Sequence, residues 1–177
     1  AQELSYTKML GQLQDAGNTT TLAHYLGLLG KAGMLCGLPK YDPKPVTRRK
    51  SSPRLMVFDT ALMTAPSGIG RMVYESDPAR RGHLVESAVG ARLLARAPEE
   101  GFELFWWREG TSEVDFVASR NGALSAIEVK GGGESRQSGM GEFLARHPKA
   151  KRIVVGGSSA GAYTLDDFLR DRVPLFF

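Results

Sequence analysis

The stretch that decides the fold is residues 113–130, which read EVDFVASRNGALSAIEVK. Residues 113–119 and 123–129 are predicted to be strands, in which successive side chains point to opposite faces. The Asn121-Gly122 pair between them is a strong hairpin signal, because both residues tolerate a positive φ. The sequence therefore predicts two adjacent antiparallel strands.

This hairpin carries the residues from which we expect chemistry. Alternation predicts that Glu113 and Asp115 share one face of the strand and that Val114 and Phe116 share the other. In the second strand, Glu128 and Lys130 share a face. Carboxylate oxygens suit a hard cation such as Mg²⁺ or Mn²⁺, so we expect Asp115 and Glu128 to bind metal. Lys130 would orient a water molecule and stabilise charge on a phosphate.

Further helices and strands are predicted around the hairpin. We expect helices over 83–97, 139–147 and 165–170, and strands over 102–108 and 152–156. On the first of these helices, Glu86 is aligned with the apolar residues Val89 and Leu93, where a carboxylate needs a partner or a metal. The alternative is that Glu86 only benefits from the dipole at the start of the helix.

The N-terminal part has a different pattern. Helices are predicted over 3–15, 19–33 and 61–65, with short strands at 34–36 and 55–58 on either side of a basic stretch. This order of elements is typical of a winged helix. We therefore divide the chain into a winged-helix-like unit (1–65), a connecting loop (66–81) and an α/β domain (82–177).

The basic stretch is local. The whole chain has a net charge of +4, and residues 40–54 contain six cations and a single acid. Candidate nucleic-acid contacts are Arg48, Arg49, Lys50 and Arg54, together with Lys31 at the end of the second helix. The alternative is a solvated connector that binds nothing.

Composition excludes several classes of protein. The 177 residues include one cysteine, so neither an intrachain disulfide nor a zinc site built on several thiolates is possible within them. No apolar run approaches the roughly 20 residues of a membrane helix, and the start of the sequence does not resemble a signal peptide. We expect a cytoplasmic location without membrane partners, and a chain cut from a longer protein.

The motifs together resemble the PD-(D/E)-x-K phosphodiesterase superfamily, through Glu86, Asp115 and the run 128–130. The chain is also similar to the domain of unknown function 4143, a C-terminal region of AAA-type ATP-binding proteins. That likeness includes Ser-x-x-Lys at 5–8, Thr-Leu-x-x-Tyr-Leu at 21–26 and the run SSPRLMVFDTAL at 51–62.

The resemblance implies a restriction-endonuclease-like mixed sheet flanked by helices, and DNA as the substrate. It also implies an ATPase domain in cis, which would bind ATP outside these residues. In the superfamily, the carbonyl corresponding to Val129 is a further metal ligand, and Glu86 would complete the site directly or through water.

Three hypotheses follow. The first is a metal-dependent nuclease of an AAA-type protein. The second is a non-catalytic regulatory or docking module of the same ATPase, in which the acids form a structural network. The third is DNA binding through the winged helix alone, which is disfavoured because the helix 19–33 has few cations beyond Lys31.

Overall fold

A computed structural model describes residues 2–3, 9–11, 17–44, 53–65, 68, 70–131 and 139–177. The fold is a mixed α/β arrangement in which a four-stranded sheet is flanked by helices. A smaller three-stranded sheet lies beside it. In the described part of the chain, no helix is long and apolar enough to cross a membrane.

The large sheet contains the predicted hairpin at its centre. Its strands lie in sequence order and are β4 (Glu103–Glu109), β5 (Ser112–Arg120), β6 (Ala123–Lys130) and β7 (Lys151–Gly156). β4, β5 and β6 pair antiparallel, whereas β7 runs parallel to β6. The β5–β6 turn uses Asn121 at φ 50° and Gly122 at φ 83°, which confirms the hairpin predicted from that dipeptide.

Helices cover both faces of this sheet. α4 (Pro78–Glu100) and α6 (Leu165–Leu169) contribute to one apolar core, and α5 (Met140–Arg146) contributes to the other. α4 begins earlier than predicted because Asp77 caps it, accepting hydrogen bonds from the amides of Ala79 (3.0 Å) and Arg80 (3.1 Å). A proline at the first helical position favours the same start.

The prediction of a connecting loop over 66–81 is therefore wrong from residue 71 onwards. α3 (Arg71–Ser76) and the first turn of α4 occupy residues 71–81. The proline, glycine and charged residues there mark helix starts and a helix junction instead of one long loop, because these residue types favour both.

The small sheet is formed by the N-terminal part. β1 (Gln2–Glu3) and β2 (Leu35–Leu38) pair antiparallel with β3 (Arg54–Val57), which lies between them. α1 (Thr19–Lys31) and α2 (Ala61–Thr64) are the neighbouring helices. The helix predicted over 3–15 is wrong at its start, since Glu3 is in a strand. Most of its remainder lies outside the described residues, as do residues 45–52 of the basic stretch.

The small sheet packs against the large one. Leu38 and Met56 belong to the same buried core as Val89 of α4 and Phe116 of β5. The backbone after β2 also runs beside β4, where the Tyr41 amide donates to the Trp106 carbonyl at 2.6 Å. Residues on both sides of the predicted 66–81 boundary thus share one core, whereas the winged-helix assignment itself stays a prediction.

A glycine allows α4 to approach both sheets closely. A Cβ atom built on Gly90 would stand 2.9 Å from Cζ of Phe116 and 3.0 Å from the sulfur of Met56. These distances are shorter than side chains tolerate, so a larger residue would push the helix outward. Glu86 lies one turn before Gly90, and the close approach therefore brings its carboxylate towards β5.

Candidate functional site

A β-bulge shapes the part of β5 that carries the acids. Phe105 pairs with Val117 and Trp107 pairs with Val114, so β5 has two residues, at 115–116, where β4 has one. Such an extra residue bends the strand and changes which side its neighbours face.

The bulge overturns the simple alternation expected for this strand. Val114 and Val117 both pack in the core beside α5, whereas Phe116 packs in the core beneath α4. The prediction that Val114 and Phe116 share a face is therefore wrong. Asp115 lies at the bulge, where its strand changes face.

Asp115 is held between two strands that have separated. The β5–β6 pairing begins at Phe116 and Ile127. Beyond this pair, the side chain of Asp115 takes the place of the β5 backbone as the hydrogen-bond partner of β6. Its Oδ2 accepts a hydrogen bond from the Val129 amide at 2.8 Å. The carboxylate therefore lies in the gap between β5 and β6, fixed by a backbone donor.

Glu86 lies close enough to Asp115 to change its charge state. Burial raises the pKa of Asp115, and repulsion from the Glu86 carboxylate raises it further. The Val129 hydrogen bond and the positive charge of Arg54 lower the same pKa, and the net result is a pKa of about 7. We call Glu86 and Asp115 the acid pair. It joins a helix and a strand, as the sequence predicts for these two residues.

Glu128 and Lys130 form a second group on β6. Glu128 is buried, with 8% of its surface exposed, and its carboxylate accepts a hydrogen bond from the Lys130 ammonium. Ile127 and Val129 pack in or against the core beneath α4. Alternation therefore directs Glu128 and Lys130 to the opposite side of β6, as predicted for these two residues relative to their apolar neighbours.

The end of β7 closes over the backbone at Lys130. Gly156 has φ 78°, and a Cβ atom at this position would stand 2.5 Å from the Lys130 carbonyl oxygen. Gly157, at φ 73°, lies against the Lys130 side chain. Both positions need glycine because they combine a positive φ with close packing, and they confine the lysine from the β7 side.

Arg54 of β3 reaches into the region of the acid pair. It is 1% exposed, its Nη2 forms an ion pair with Glu113, and its Nη1 lies 3.6 Å from Oε1 of Glu86. The guanidinium also lies 4.8 Å from the centre of the Trp106 ring, within the range of cation–π attraction. Arg54 is thus enclosed by charged and aromatic partners from β5, α4 and β4.

This position corrects the nucleic-acid role predicted for Arg54. A side chain with 1% exposure does not reach a phosphate backbone from where it lies. Alternation along β3 gave no signal for this burial, because Leu55 and Val57 make one face of the strand entirely apolar while Arg54 shares the other face with Met56.

Glu113 is the acid that binds Arg54 directly, and sequence reasoning gave it no role. Arg108 also donates to it, from Nε at 3.1 Å. Burial raises the pKa of Glu113, but the two guanidinium groups outweigh burial, and the pKa lies below its ordinary value. Glu113 is therefore an ionised counter-ion for two arginines.

The predicted site residues thus fall into two groups. Glu86 is coupled to Asp115, and Glu128 is paired with Lys130. Across the described residues, no three histidine, cysteine or acidic side chains converge as a group that could hold a metal ion. Lys31 is exposed at the end of α1, whereas residues 48–50, with Arg48, Arg49 and Lys50, lie outside the described residues.

These features define a mixed α/β protein with a carboxylate pair between a long helix and a bulged strand. The family model of the domain of unknown function DUF4143 matches residues 81–174, and the chain belongs to this family. The matched region contains Glu86, Asp115, Glu128 and Lys130, whereas Arg54 lies before it. No curated protein and no solved structure matched the chain.

Proposed function

We propose that this domain is a metal-dependent DNA phosphodiester hydrolase of the PD-(D/E)-x-K kind, whose cation is Mg²⁺ or Mn²⁺. One observation carries the proposal. Two carboxylates of low exposure, Glu86 and Asp115, are kept close together where β5 and β6 separate, next to the strand that carries Glu128 and Lys130.

The donor set fits a hard divalent cation. Mg²⁺ usually binds one or two carboxylates and keeps several waters, so it does not need three acids. Two nearby carboxylates repel each other, and a divalent cation would relieve that repulsion. Glu86 and Asp115 would be its first ligands, and the Val129 carbonyl is a further candidate. Glu128, which is directed to the other side of β6, would act through water. The cation would supply Lewis acidity towards a phosphoryl oxygen.

The side chains of this domain would provide positioning and proton control. The Val129 amide fixes one oxygen of Asp115, so that the other oxygen has a defined direction. Lys130 can donate to a water molecule or to a phosphate oxygen, and Glu128 can accept from the same water. Confinement of Lys130 by Gly156 at the end of β7 and by Gly157 after it limits the positions that its ammonium can take.

A titration with Mn²⁺ tests the proposed metal site. Isothermal calorimetry should detect binding to the wild-type chain, and Glu86→Gln or Asp115→Asn should weaken it at least ~tenfold, because each removes a charged ligand. Glu99→Gln is the matched control, since Glu99 is an exposed acid on the same helix as Glu86. Equal heats from the wild type and both site variants would exclude the acid pair as the metal site.

Cleavage of plasmid DNA in Mn²⁺ tests the activity itself. Lys130→Met should lower the rate by ~100-fold or more if the ammonium stabilises developing charge, while Mn²⁺ binding stays intact. Lys149→Met is the control, because Lys149 is an exposed lysine in the loop before β7. An unchanged rate in the Lys130 variant would remove that residue from the mechanism.

A second candidate function is a non-catalytic docking module of an ATPase in cis. It is favoured by the Arg54–Glu113–Arg108 network, whose two buried members, Arg54 and Glu113, already compensate each other, as in a structural cluster. On α1, Tyr25 and Leu28 are about half exposed, which suits contact with protein better than contact with phosphates. This candidate predicts neither Mn²⁺ heats nor nicking of any DNA form.

Direct DNA binding by the N-terminal part has weaker support. The described cation on α1 is Lys31 at its C-terminal end, and the first turn of this helix has no acidic residue to repel phosphates. Phosphate contacts would make the binding constant fall steeply with salt. A flat response between low and physiological salt would dismiss this contribution without affecting the metal test.

A further inference from the structure

Arg54 places a fixed positive charge beside the acid pair. It belongs to β3, the central strand of the small sheet, where β1 and β2 hold it on both sides. Its side chain is almost completely buried between the Trp106 ring and the Glu113 carboxylate. The guanidinium is therefore held in place by its strand and by its partners.

The contact with Glu86 differs from the contact with Glu113. Nη2 of Arg54 hydrogen-bonds Glu113 directly, whereas Nη1 is 3.6 Å from Oε1 of Glu86, which is too long for a hydrogen bond. The interaction with Glu86 is thus one of charge with charge. The hydrogen bond to Glu113 fixes the position of the Arg54 guanidinium, whereas Glu86 interacts with its positive charge through space.

A divalent cation and this guanidinium would compensate the same carboxylates. Because both are positive and the site is shielded from water, the guanidinium opposes the arrival of a cation. We infer that Arg54 is a built-in counter-ion of the Glu86–Asp115 pair, which weakens the binding of a divalent cation there. This inference rests on the proposed metal site.

The counter-ion also links the site to the small sheet. Arg54 lies outside the segment 81–174 that matches the family model, yet it is a neighbour of both Glu86 and Asp115. The cation affinity of the acid pair therefore depends on how closely the small sheet packs against α4. Arg54 acts through these carboxylates and is a positioning residue.

The test removes the charge of Arg54 without leaving the buried Glu113 carboxylate short of one of its two arginines. In a Glu113→Gln background, Arg54→Met removes the guanidinium, and Arg54→Lys keeps a positive charge of different shape. The affinity for Mn²⁺ alone is measured by calorimetry for the single variant and both double variants. Arg54→Gln in the same background repeats the charge removal with a polar side chain, in case the methionine variant does not fold.

The expected result is an affinity about tenfold or more higher without the charge, from the Coulomb repulsion removed. The lysine double variant should stay within about twofold of Glu113→Gln, because its charge remains. Equal or weaker binding by the methionine and glutamine double variants would overturn the inference while leaving the metal site in place. No Mn²⁺ binding by any protein, the wild type included, would refute the proposed metal site, and the counter-ion role would fall with it.

Discussion

Replacement of Asp115 by asparagine should stabilise the protein at pH 8 and hardly change it near pH 4. Asparagine has the same shape, and its side-chain oxygen can still accept the Val129 hydrogen bond. It lacks the charge that burial and Glu86 disfavour. The variant therefore removes an unfavourable ionisation while it preserves the local hydrogen bond.

The magnitude follows from the change in the pKa of Asp115 on folding. This pKa is 3.8 without the fold and about 7 within it. Between these two values the folded chain binds more protons than the unfolded chain, so the free energy of unfolding falls as pH rises. A tenfold change in an acid dissociation constant corresponds to about 1.36 kcal/mol, which gives an upper bound of about 4 kcal/mol for the gain of Asp115→Asn at pH 8.

Urea unfolding at several pH values between 4 and 8, with EDTA present to remove cations, measures this gain. The quantity to compare is the difference between variant and wild type, because other titrating groups cancel in it. Glu86→Gln should produce a smaller gain with the same pH trend, whereas Glu99→Gln on the exposed face of α4 should produce none. A difference that does not depend on pH would show that Asp115 and Glu86 are not a buried, repelling pair.

Two further changes test the packing around the site. Gly90→Ala should lower the free energy of unfolding by about 1–3 kcal/mol, because the added methyl group overpacks the core beneath α4. At Gly82 on the same helix, an added methyl group meets no atom within 4 Å, so Gly82→Ala should stabilise the fold by up to about 1 kcal/mol. Equal changes in the free energy of urea unfolding for the two glycine variants would contradict the close approach of α4 at Gly90. Arg54→Met should cost about 1–3 kcal/mol, because Glu113 loses its buried partner and keeps only Arg108. Arg80→Met, at an exposed ion pair, should hardly move the melting temperature, and a similar effect at both arginines would show that Arg54 is not in a buried network.

The strands of the large sheet were predictable because their signals are local. Alternation and the Asn121-Gly122 turn lie within a few residues of the structure they specify. The start of α4 is also signalled locally, by Asp77 and the proline that follows it. It was not predicted because the nearby glycine and charged residues were interpreted as a loop. The pairing of Glu128 with Lys130 likewise follows from their spacing of two along one strand.

The acid pair was only partly predictable. The spacing of Glu86 from Val89 and Leu93 indicates a helix face that turns towards the core. The distance of that face from β5 depends on Gly90, which meets residues from two other strands. The bulge at 115–116 depends on the pairing of β5 with β4, and alternation within β5 alone gave the wrong faces.

The sequence by itself determined the order of helices and strands from α4 onwards, the hairpin, and the acidic and amino side chains that the hairpin carries. These depend on short-range backbone preference and on side-chain period, which neighbouring residues fix. The tertiary structure alone decided that Arg54 is buried against Glu113, 59 residues away, and that Glu86 comes close to Asp115. Such contacts depend on how separate elements pack, because burial and charge compensation are set by the residues that the fold brings together.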